Sequence, residues 1–262
     1  MEKVPDFLER GENVDGLKIY HDKIKDLIDE IIEKEKGSIE KAANLMADAI
    51  ERDELIHVIG PGGHSNMGAY EMFYRAGGLV PVNAILDPGT LISMGARRST
   101  IIERTPGYGI SVLKAFDVDG GVLIVVNAYG INSMCIDVAL EGRRRGIPTI
   151  GVTSKEFSDR VPKDHPARHP SKKNLYEVVD VHVDNHMPYG DAIVKLEKIN
   201  RNIGPVSTIL NSFVLNLMTI RTIELLIERG VEPPVWVSSN VPGGDEMNKE
   251  YLRKYVGRIR LL

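Results

Sequence analysis

Cysteine is nearly absent from this sequence, since Cys135 is the single cysteine in 262 residues. One thiol cannot form an intrachain disulfide, so a disulfide-stapled domain is excluded and a reducing cytoplasm is the expected location. An excess of basic charge is missing too, because 33 Lys and Arg stand against 37 Asp and Glu, with a net charge of -4. Nucleic-acid-binding proteins normally carry a basic stripe, and we therefore expect no nucleic-acid partner.

An uninterrupted membrane-spanning run is also missing. The first residues, Met1 to Asp6, contain no apolar core of a signal peptide. No side chain is charged between Arg201 and Arg221, but several Asn, Ser and Thr interrupt this stretch and Gly204-Pro205 breaks its start. We interpret the stretch as a buried helix of a soluble core and expect no membrane partner.

Hydrophobic spacing predicts two amphipathic helices at the N-terminus. Apolar residues recur at helical intervals over residues 17–36, with charges between them. Gly37 is expected to end this helix, and Ser38 is expected to cap a second helix that reaches about Glu51. We therefore predict a single domain over residues 1–262, with a helical hairpin at 1–51 packed on it.

Short apolar runs, many rich in β-branched residues, follow the hairpin. They cover residues 55–59, 79–85, 122–126, 149–153, 178–183 and 235–237. Helical stretches separate several of them, notably 133–145 and 206–229. Apolar strands that alternate with helices are typical of an α/β fold whose parallel sheet is covered on both faces. Ligands of such sheets lie beyond the carboxyl ends of the strands, so function is expected in the turns there.

The first of those turns is the strongest candidate site. Strand 55–59 runs directly into Gly60-Pro61-Gly62-Gly63-His64-Ser65. The glycines permit a tight reversal, and a helix that starts near Ser65 would direct free N–H groups at a bound anion. A tight turn without any ligand is the alternative. A dinucleotide fingerprint is disfavoured, because it requires glycine at Ser65 in one register and at His64 in the other.

Several unusual phrases give the chain a family resemblance. Residues 55–154 resemble a sugar isomerase (SIS) domain. Four phrases resemble a phosphosugar-binding branch of that family: Gly62-Gly63-His64-Ser65, residues 71–78 (EMFYRAGG), residues 180–192 (DVHVDNHMPYGDA), and Pro233-Pro234 with residues 238–240 (SSN). The resemblance implies a Rossmann-like, doubly wound five-stranded parallel sheet, a homodimer or higher assembly, and a phosphosugar site at the strand ends.

The same resemblance assigns two loops to the anion. Gly62, Gly63, Ser65 and Asn66 match the first phosphate-binding loop. The second loop of the family is rich in Ser and Thr, whereas the aligned residues here read NAYGINS over 127–133. The expected binding residues there are Asn127, Tyr129, Gly130, Asn132 and Ser133, followed by Thr153 and Ser154 at the end of the next strand. The bulkier second loop suggests a sugar acid or a sulfonated sugar in place of an ordinary phosphate ester.

Isomerisation of an aldose to a ketose requires a base that moves a proton between adjacent carbons. Glu71 follows Ser65 by about one and a half helical turns and is the first choice for that base, while His64 is the expected second proton carrier because imidazole titrates near neutral pH. Glu103, in a predicted loop before helix 110–116, is an alternative base or else a solvated acid. Arg75 either clamps the anion or pairs with Glu71 one helical turn away.

Histidine spacing raises the question of a metal. His182, Asp184 and His186 alternate on a strand-like run, and such spacing could suit a metal ion. The histidines do not carry the resemblance, however, and we interpret them as strand-end residues. His165 and His169 lie among prolines, which indicates an irregular loop. We expect neither a metal nor a cofactor, and we interpret Cys135 as a small core residue of helix 133–145.

The sequence therefore predicts an aldose–ketose isomerase of a small phosphorylated or otherwise anionic sugar, acting through an enediol. Two alternatives remain open: a non-catalytic phosphosugar-binding regulatory protein, and a lyase or epimerase on the same scaffold. Sensors of this type are usually joined to a DNA-binding unit, and the two N-terminal helices show no basic recognition helix. The first helix has little sheet to cover, so we expect it to pack on a second subunit.

Overall fold

The computed structural model describes residues 15–196 and 198–262. Its helices are α1 (Gly16–Lys34), α2 (Lys36–Glu51), α3 (Asn66–Met72), α4 (Ala96–Glu103), α5 (Tyr108–Ala115), α6 (Ser133–Arg144), α7 (Lys155–Arg160), α8 (Ser207–Glu228) and α9 (Gly244–Tyr255). Its strands are β1 (Ile56–Ile59), β2 (Val82–Ile85), β3 (Val122–Val126), β4 (Thr149–Thr153), β5 (Val181–Asp184), β6 (Ala192–Lys195) and β7 (Asn202–Pro205).

Strands β1 to β5 form one parallel sheet in the order β2-β1-β3-β4-β5. At its centre, Val58 of β1 is in register with Ala84 on one side and with Ile124 on the other. The strand order reverses between β1 and β3, and a crevice opens beyond the carboxyl ends of two strands at such a reversal. The predicted α/β class with a five-stranded parallel sheet is confirmed.

Helices cover both faces of this sheet. Along β3, Ile124 and Val126 belong to the core shared with α2 and α8, whereas Leu123 and Val125 belong to the core shared with α6. Successive side chains of a strand point to opposite faces, so a strand that is buried on both faces reads as a continuous apolar run. Each Val, Leu or Ile buried in this way contributes roughly 1.5–3 kcal/mol.

The N-terminal helical pair is present, but its predicted boundary was wrong. The two helices meet at Glu35, and both Gly37 and Ser38 lie inside α2. Residues 1–14 of the expected hairpin lie outside the described residues. The break at Glu35 matters because its carboxylate accepts a hydrogen bond from the backbone N–H of Asp184 at 3.2 Å, which ties the junction to the end of β5.

Helix α1 packs on a small antiparallel ladder formed by β6 and β7, which the sequence did not predict. The Tyr20 hydroxyl donates a hydrogen bond to the Pro205 carbonyl at 2.7 Å. The Lys23 ammonium donates to the Ile193 carbonyl at 2.7 Å. The first helix thus finds a packing partner within its own chain.

Helix α8 is long and apolar enough to cross a membrane by length and composition, yet half of its most apolar window is buried inside the fold. Two arginines anchor it to α2: Arg221 pairs with Glu40 at 2.6 Å and Arg229 pairs with Asp48 at 2.8 Å. The predicted helix over 206–229 is confirmed and its buried face joins the core, but residues 202–205 of the uncharged stretch form the largely exposed strand β7.

Two further local predictions were wrong. The apolar run 235–237 does not join the sheet, and Val235 forms only an isolated antiparallel bridge with Leu79. The expected loop at 99–108 is helical at its start, because α4 extends to Glu103. Ser99 holds α4 in place: its hydroxyl donates to the Thr90 carbonyl at 2.6 Å and accepts from the Gly63 amide at 3.0 Å.

Candidate functional site

A cavity of about 330 Å³ lies where the strand order reverses between β1 and β3. Five parts of the chain form its walls: the turn after β1, α4, the residues after β3, the residue before β6, and the start of α8 with the end of β7. The lining residues are Gly62, Gly63, His64, Ser65, Thr100, Glu103, Asn127, Ala128, Tyr129, Asp191, Pro205, Ser207, Thr208 and Asn211. This volume and position are typical of a small-molecule site in an open α/β sheet.

The structure brings together about half of the predicted site residues. Those that line the cavity are Gly62, Gly63, His64, Ser65, Glu103, Asn127 and Tyr129. Those that are not among its lining residues are Glu71, Asn66, Arg75, Gly130, Asn132, Ser133, Thr153 and Ser154.

The glycine turn is tight, as its composition indicates. A β-carbon on Gly60 would stand 1.8 Å from the Ser65 carbonyl oxygen, so only glycine fits there. The turn also uses much of its own hydrogen-bonding capacity: the Ser65 amide donates to the Gly62 carbonyl at 3.0 Å, and the Gly63 amide donates to Ser99. The amides of Gly63 and Ser65 are therefore engaged within the protein, and His64 and Ser65 both line the cavity.

Glu103 is the carboxyl group that the fold places against this turn. It is the last residue of α4 and lies beside Gly62, where a β-carbon would stand 2.0 Å from Glu103 Oε2. Burial raises the pKa of Glu103 to about 7, and the nearby charge of Arg104 only partly opposes that shift. A carboxyl group in a cavity with a pKa near neutrality is suited to general acid–base chemistry.

Asn127 joins the two predicted loops to each other. Its side chain accepts a hydrogen bond from the Gly130 amide at 2.8 Å and donates to the Pro61 carbonyl at 3.4 Å. The side chain is almost fully buried, with 2% exposed. It therefore holds the second loop against the first, in the place where the sequence predicted a ligand contact.

Tyr129 forms an aromatic wall of the cavity. The centroid of its ring lies 4.7 Å from that of Phe157, and the Phe157 ring stacks on Tyr189 with 5.1 Å between the ring centroids. Burial raises the pKa of Tyr129, and the negative charges of Asp191 and Glu103 raise it further. The phenol is therefore a neutral hydrogen-bond donor that faces an acidic side of the cavity.

Several predicted binding residues instead support the loops around the cavity. Ser154 caps α7 by accepting from the Phe157 amide at 3.0 Å and donates to the Met187 carbonyl at 2.6 Å. Asn66 donates to the carbonyls of Gly63 and Thr90, and Asn132 donates to the Ala167 carbonyl. Gly130 is packed so closely that a β-carbon would stand 2.4 Å from Thr153 Oγ1. Ser133 is buried at the start of α6.

Glu71 and Arg75 pair with each other outside the cavity lining. The Arg75 Nε atom lies 3.2 Å from Glu71 Oε1. The side-chain amide of Asn216, in α8, donates a hydrogen bond to the same carboxylate at 2.9 Å. Of the two roles considered for Arg75, the ion pair with Glu71 is the one that the structure contains.

The start of α8 and the residue before β6 contribute polar residues that sequence reasoning missed. Asp191, Ser207, Thr208 and Asn211 all line the cavity, and Thr100 joins them from α4. Two signals were available: Asp191 lies inside the family phrase 180–192, and Ser207 follows the Gly204-Pro205 break. Neither indicates on its own that α8 points its first turn at the glycine turn.

The histidines considered as metal ligands have separate protein partners. His182 Nε2 lies 3.0 Å from the Thr153 carbonyl oxygen, His186 lies 3.0 Å from Glu35, and His169 lies 3.2 Å from Asp137. Within residues 15–196 and 198–262, no group of three His, Cys, Asp or Glu has an arrangement that could hold a metal ion. Cys135 is fully buried, which confirms its interpretation as a core residue.

Comparison with known proteins places this architecture in a family. The SIS domain model matches residues 19–154, which include β1 to β4 and both loops described above. The chain therefore belongs to the SIS domain family. UPF0309 proteins are among its relatives: the one from Geobacillus thermodenitrificans is 38% identical over 244 residues, covering 93% of this chain and 96% of that protein. The UPF0309 protein of Geobacillus kaustophilus is 37% identical over 244 residues, covering 93% and 95%.

The fold is also found in a solved enzyme structure. A phosphoheptose isomerase from Francisella tularensis superposes with a TM-score of 0.53 at 12% identity, covering 82% of this chain and 100% of that chain. At such low identity the likeness shows a common fold.

Proposed function

We propose that this cavity interconverts the aldose and ketose forms of a small phosphorylated or otherwise anionic sugar. The observation that carries the proposal is Glu103, whose carboxyl group lines the cavity and whose pKa is raised to about 7 by burial. Such a group is basic enough to take a proton from carbon and is still substantially ionised at neutral pH. Membership of the SIS domain family and a fold in common with a phosphoheptose isomerase support a sugar ligand.

The reaction moves one proton between adjacent carbons and one between their oxygens. In the proposed path, Glu103 takes the proton from C2 of the aldose, leaving an enediolate, and returns it to C1 of the ketose. His64 faces the same cavity and passes the hydroxyl proton between the two oxygens, because imidazole can both donate and accept a proton near neutral pH. Substrate and product are isomers, so the reaction requires no oxidant or reductant.

Hydroxyl groups are the proposed ligands of the anion. Ser65 and Thr100 line the wall formed by the glycine turn and α4, and each can donate a hydrogen bond. Lys and Arg do not occur among the described residues that line the cavity. A site without Lys or Arg suits a singly charged anion, such as the carboxylate of a sugar acid or the sulfonate of a sulfonated sugar, better than a phosphate monoester, which carries nearly two negative charges.

Deuterium exchange tests the reaction and the base together. The purified protein is incubated in deuterium oxide with phosphorylated, sulfonated and carboxylated tetroses to hexoses, and exchange beside the carbonyl is followed by NMR. We expect exchange with at least one sugar, and a loss of about 100-fold or more in Glu103→Gln, as is usual when a general base is removed.

Glu71→Gln is the matched control, because it makes the same change of one carboxylate to an amide outside the cavity lining. It should retain exchange near the wild-type rate. Loss of exchange in Glu71→Gln with retention in Glu103→Gln would return the role of base to Glu71. Tight binding of a sugar with no exchange in the wild-type protein would show a sensor instead of an isomerase.

We also propose that the chain acts as a homodimer. Large apolar side chains are exposed on or beside the neighbouring helices α3 and α8: Tyr70 is 52% exposed, Tyr74 51% and Ile220 54%. Clustered exposed apolar side chains are typical of surfaces that bind another protein. Sedimentation velocity should give twice the monomer mass, and a monomer at all concentrations would contradict the proposal.

A further inference from the structure

The first turn of α8 faces the cavity, but a carboxylate of the protein already occupies its positive end. Asp191 accepts hydrogen bonds from the Val206 amide at 3.0 Å, the Ser207 amide at 2.8 Å and the Ser207 hydroxyl at 2.9 Å. The N-terminus of a long helix attracts anions through its free N–H groups and its dipole. Asp191 accepts from the Val206 and Ser207 amides and places its own negative charge beside them, so an anionic part of a ligand would be repelled from this part of the wall.

The position of Asp191 is fixed by the fold. Its backbone has a φ of 65°, in the left-handed region that Asn and Asp tolerate better than most residues. Its carbonyl also accepts a hydrogen bond from the Val206 amide at 3.2 Å. This bond joins the residue before β6 to the residue after β7. Three bonds to the side chain and one to the backbone hold the carboxylate at the cavity, so it cannot turn away to make room for a second anion.

Among the described residues that line the cavity with Asp191, His64 alone can carry a positive charge. The described residues that line the cavity include two with carboxyl groups, Asp191 and Glu103, and neither Lys nor Arg. The charge of Asp191 extends into the cavity, since it contributes to the raised pKa of Tyr129. The two ends of the cavity differ in their carboxyl groups: Asp191 is held by hydrogen bonds at the start of α8, whereas Glu103, beside the turn after β1, has a pKa raised to about 7 by burial and is partly protonated at neutral pH.

We infer that Asp191 is a specificity-determining residue that restricts the substrate to sugars with a single anionic group. The anion lies at the glycine turn, and the opposite end of the sugar presents hydroxyl or ammonium donors to Asp191. Sugars with a second anion at that end, such as bisphosphates and phosphorylated sugar acids, are rejected by like-charge repulsion. This inference rests on the proposed function, because it assumes that an anionic sugar binds in the cavity.

A matched pair of open-chain ligands tests the inference without any need for turnover. Glucitol 6-phosphate and 6-phosphogluconate have the same carbon skeleton and differ at C1, where one carries a hydroxymethyl group and the other a carboxylate. Their dissociation constants are measured by calorimetry for the wild-type protein and for Asp191→Asn. Asparagine keeps an oxygen acceptor for the α8 amides and tolerates the left-handed backbone.

We expect the wild-type protein to prefer glucitol 6-phosphate by about tenfold or more, and Asp191→Asn to lose most of that preference by binding 6-phosphogluconate more tightly. Asp191→Ser, which also keeps a short capping oxygen without charge, gives the same readout if Asp191→Asn does not fold. Asp164→Asn changes the charge of an exposed loop residue and should keep the wild-type preference.

The possible failures are distinguishable. Binding of both ligands with no preference, or a preference that Asp191→Asn and Asp191→Ser leave unchanged, overturns the role of Asp191 while the anionic-sugar site stands. Binding of neither ligand, together with no exchange in the sugar panel, overturns the proposed function and with it this inference.

Discussion

Glu103 lies directly against Gly62, so closely that a β-carbon on the glycine would stand 2.0 Å from Glu103 Oε2. The turn after β1 and the last residue of α4 are therefore fitted to each other, and any side chain at Gly62 would displace the carboxyl group. Gly62 also has a φ of 115°, a backbone conformation that side-chain-bearing residues rarely adopt. This contact links the most recognisable sequence feature of the chain to the group proposed as its base.

Gly62→Ala is expected to lower the exchange rate by about 100-fold, because small displacements of a catalytic group have effects of that size. Gly63→Ala is the matched control on the same turn. Its φ is 49°, and a β-carbon there would meet no heavy atom within 4 Å. It should cost roughly 1–2 kcal/mol of stability through backbone strain and leave most of the exchange. Equal losses of exchange in the two folded variants would contradict the importance of the contact between Gly62 and Glu103.

Glu103 is expected to make folding stability depend on pH. Its pKa is about 7 in the folded protein and 4.5 ordinarily, so the folded state favours the protonated form. The cost of ionising the buried group is absent below the ordinary pKa, grows as the pH rises between the two values, and is complete above the folded pKa. A shift of this size corresponds to about 3 kcal/mol.

The Glu103→Gln variant lacks this ionisation. Its free energy of unfolding, relative to that of the wild-type protein, should therefore be higher at about pH 8 than at about pH 4, by up to about 3 kcal/mol. Urea unfolding at the two pH values measures both differences. Glu232→Gln, at an exposed position, should show no such change with pH. A Glu103→Gln stability difference that is the same at both pH values would contradict the raised pKa.

His186 is expected to stabilise the junction of α1 and α2 in its protonated form. The imidazole lies 3.0 Å from Glu35 and 3.4 Å from Glu30. Burial by itself opposes the charged form, but the hydrogen bond to Glu35 and the charges of Asp184, Glu30 and Glu35 together raise the pKa of His186. The stabilisation is therefore complete below the ordinary histidine pKa of 6.5 and is lost as the pH rises through the raised value.

His186→Asn should lower the free energy of unfolding by roughly 1–3 kcal/mol at about pH 6, the usual range for a hydrogen bond to a charged group, and by less at about pH 9. Asparagine suits the left-handed backbone of this residue, whose φ is 50°. Thermal or urea unfolding at both pH values provides the measurement. His165→Asn, in the exposed loop before β5, is the control and should show little pH dependence. A larger effect of His186→Asn at about pH 9 would show that its charge does not contribute.

Much of the sheet was predictable, because its strands are buried on both faces. Burial of that type requires continuous apolar runs, and four of the predicted runs contain β1 to β4. The ladder of β6 and β7 was not predictable in this way. Residues 202–205 (NIGP) of β7 are largely exposed, so packing does not impose an apolar pattern on them.

The site was partly predictable for a similar reason. A tight strand-to-helix turn needs glycine at positions such as Gly60, where backbone approaches backbone, and this need is visible locally in the sequence. The roles within the second loop were not visible locally. Asn127 and Ser154 are polar residues at strand ends, and their hydrogen bonds go to the protein itself because the loops around them fold back.

The sequence by itself determined the α/β sheet, the glycine turn and the presence of acidic residues near it, because each depends on local pattern and backbone geometry. Only the tertiary structure decided which carboxyl groups meet in the cavity. Glu71 lies in the short helix just after the turn, but Arg75 and Asn216 hold its carboxylate outside the cavity lining. Glu103 and Asp191 are distant in sequence and nevertheless line the cavity. The packing of α4 and α8 around the crevice places them there, and no local pattern encodes that packing.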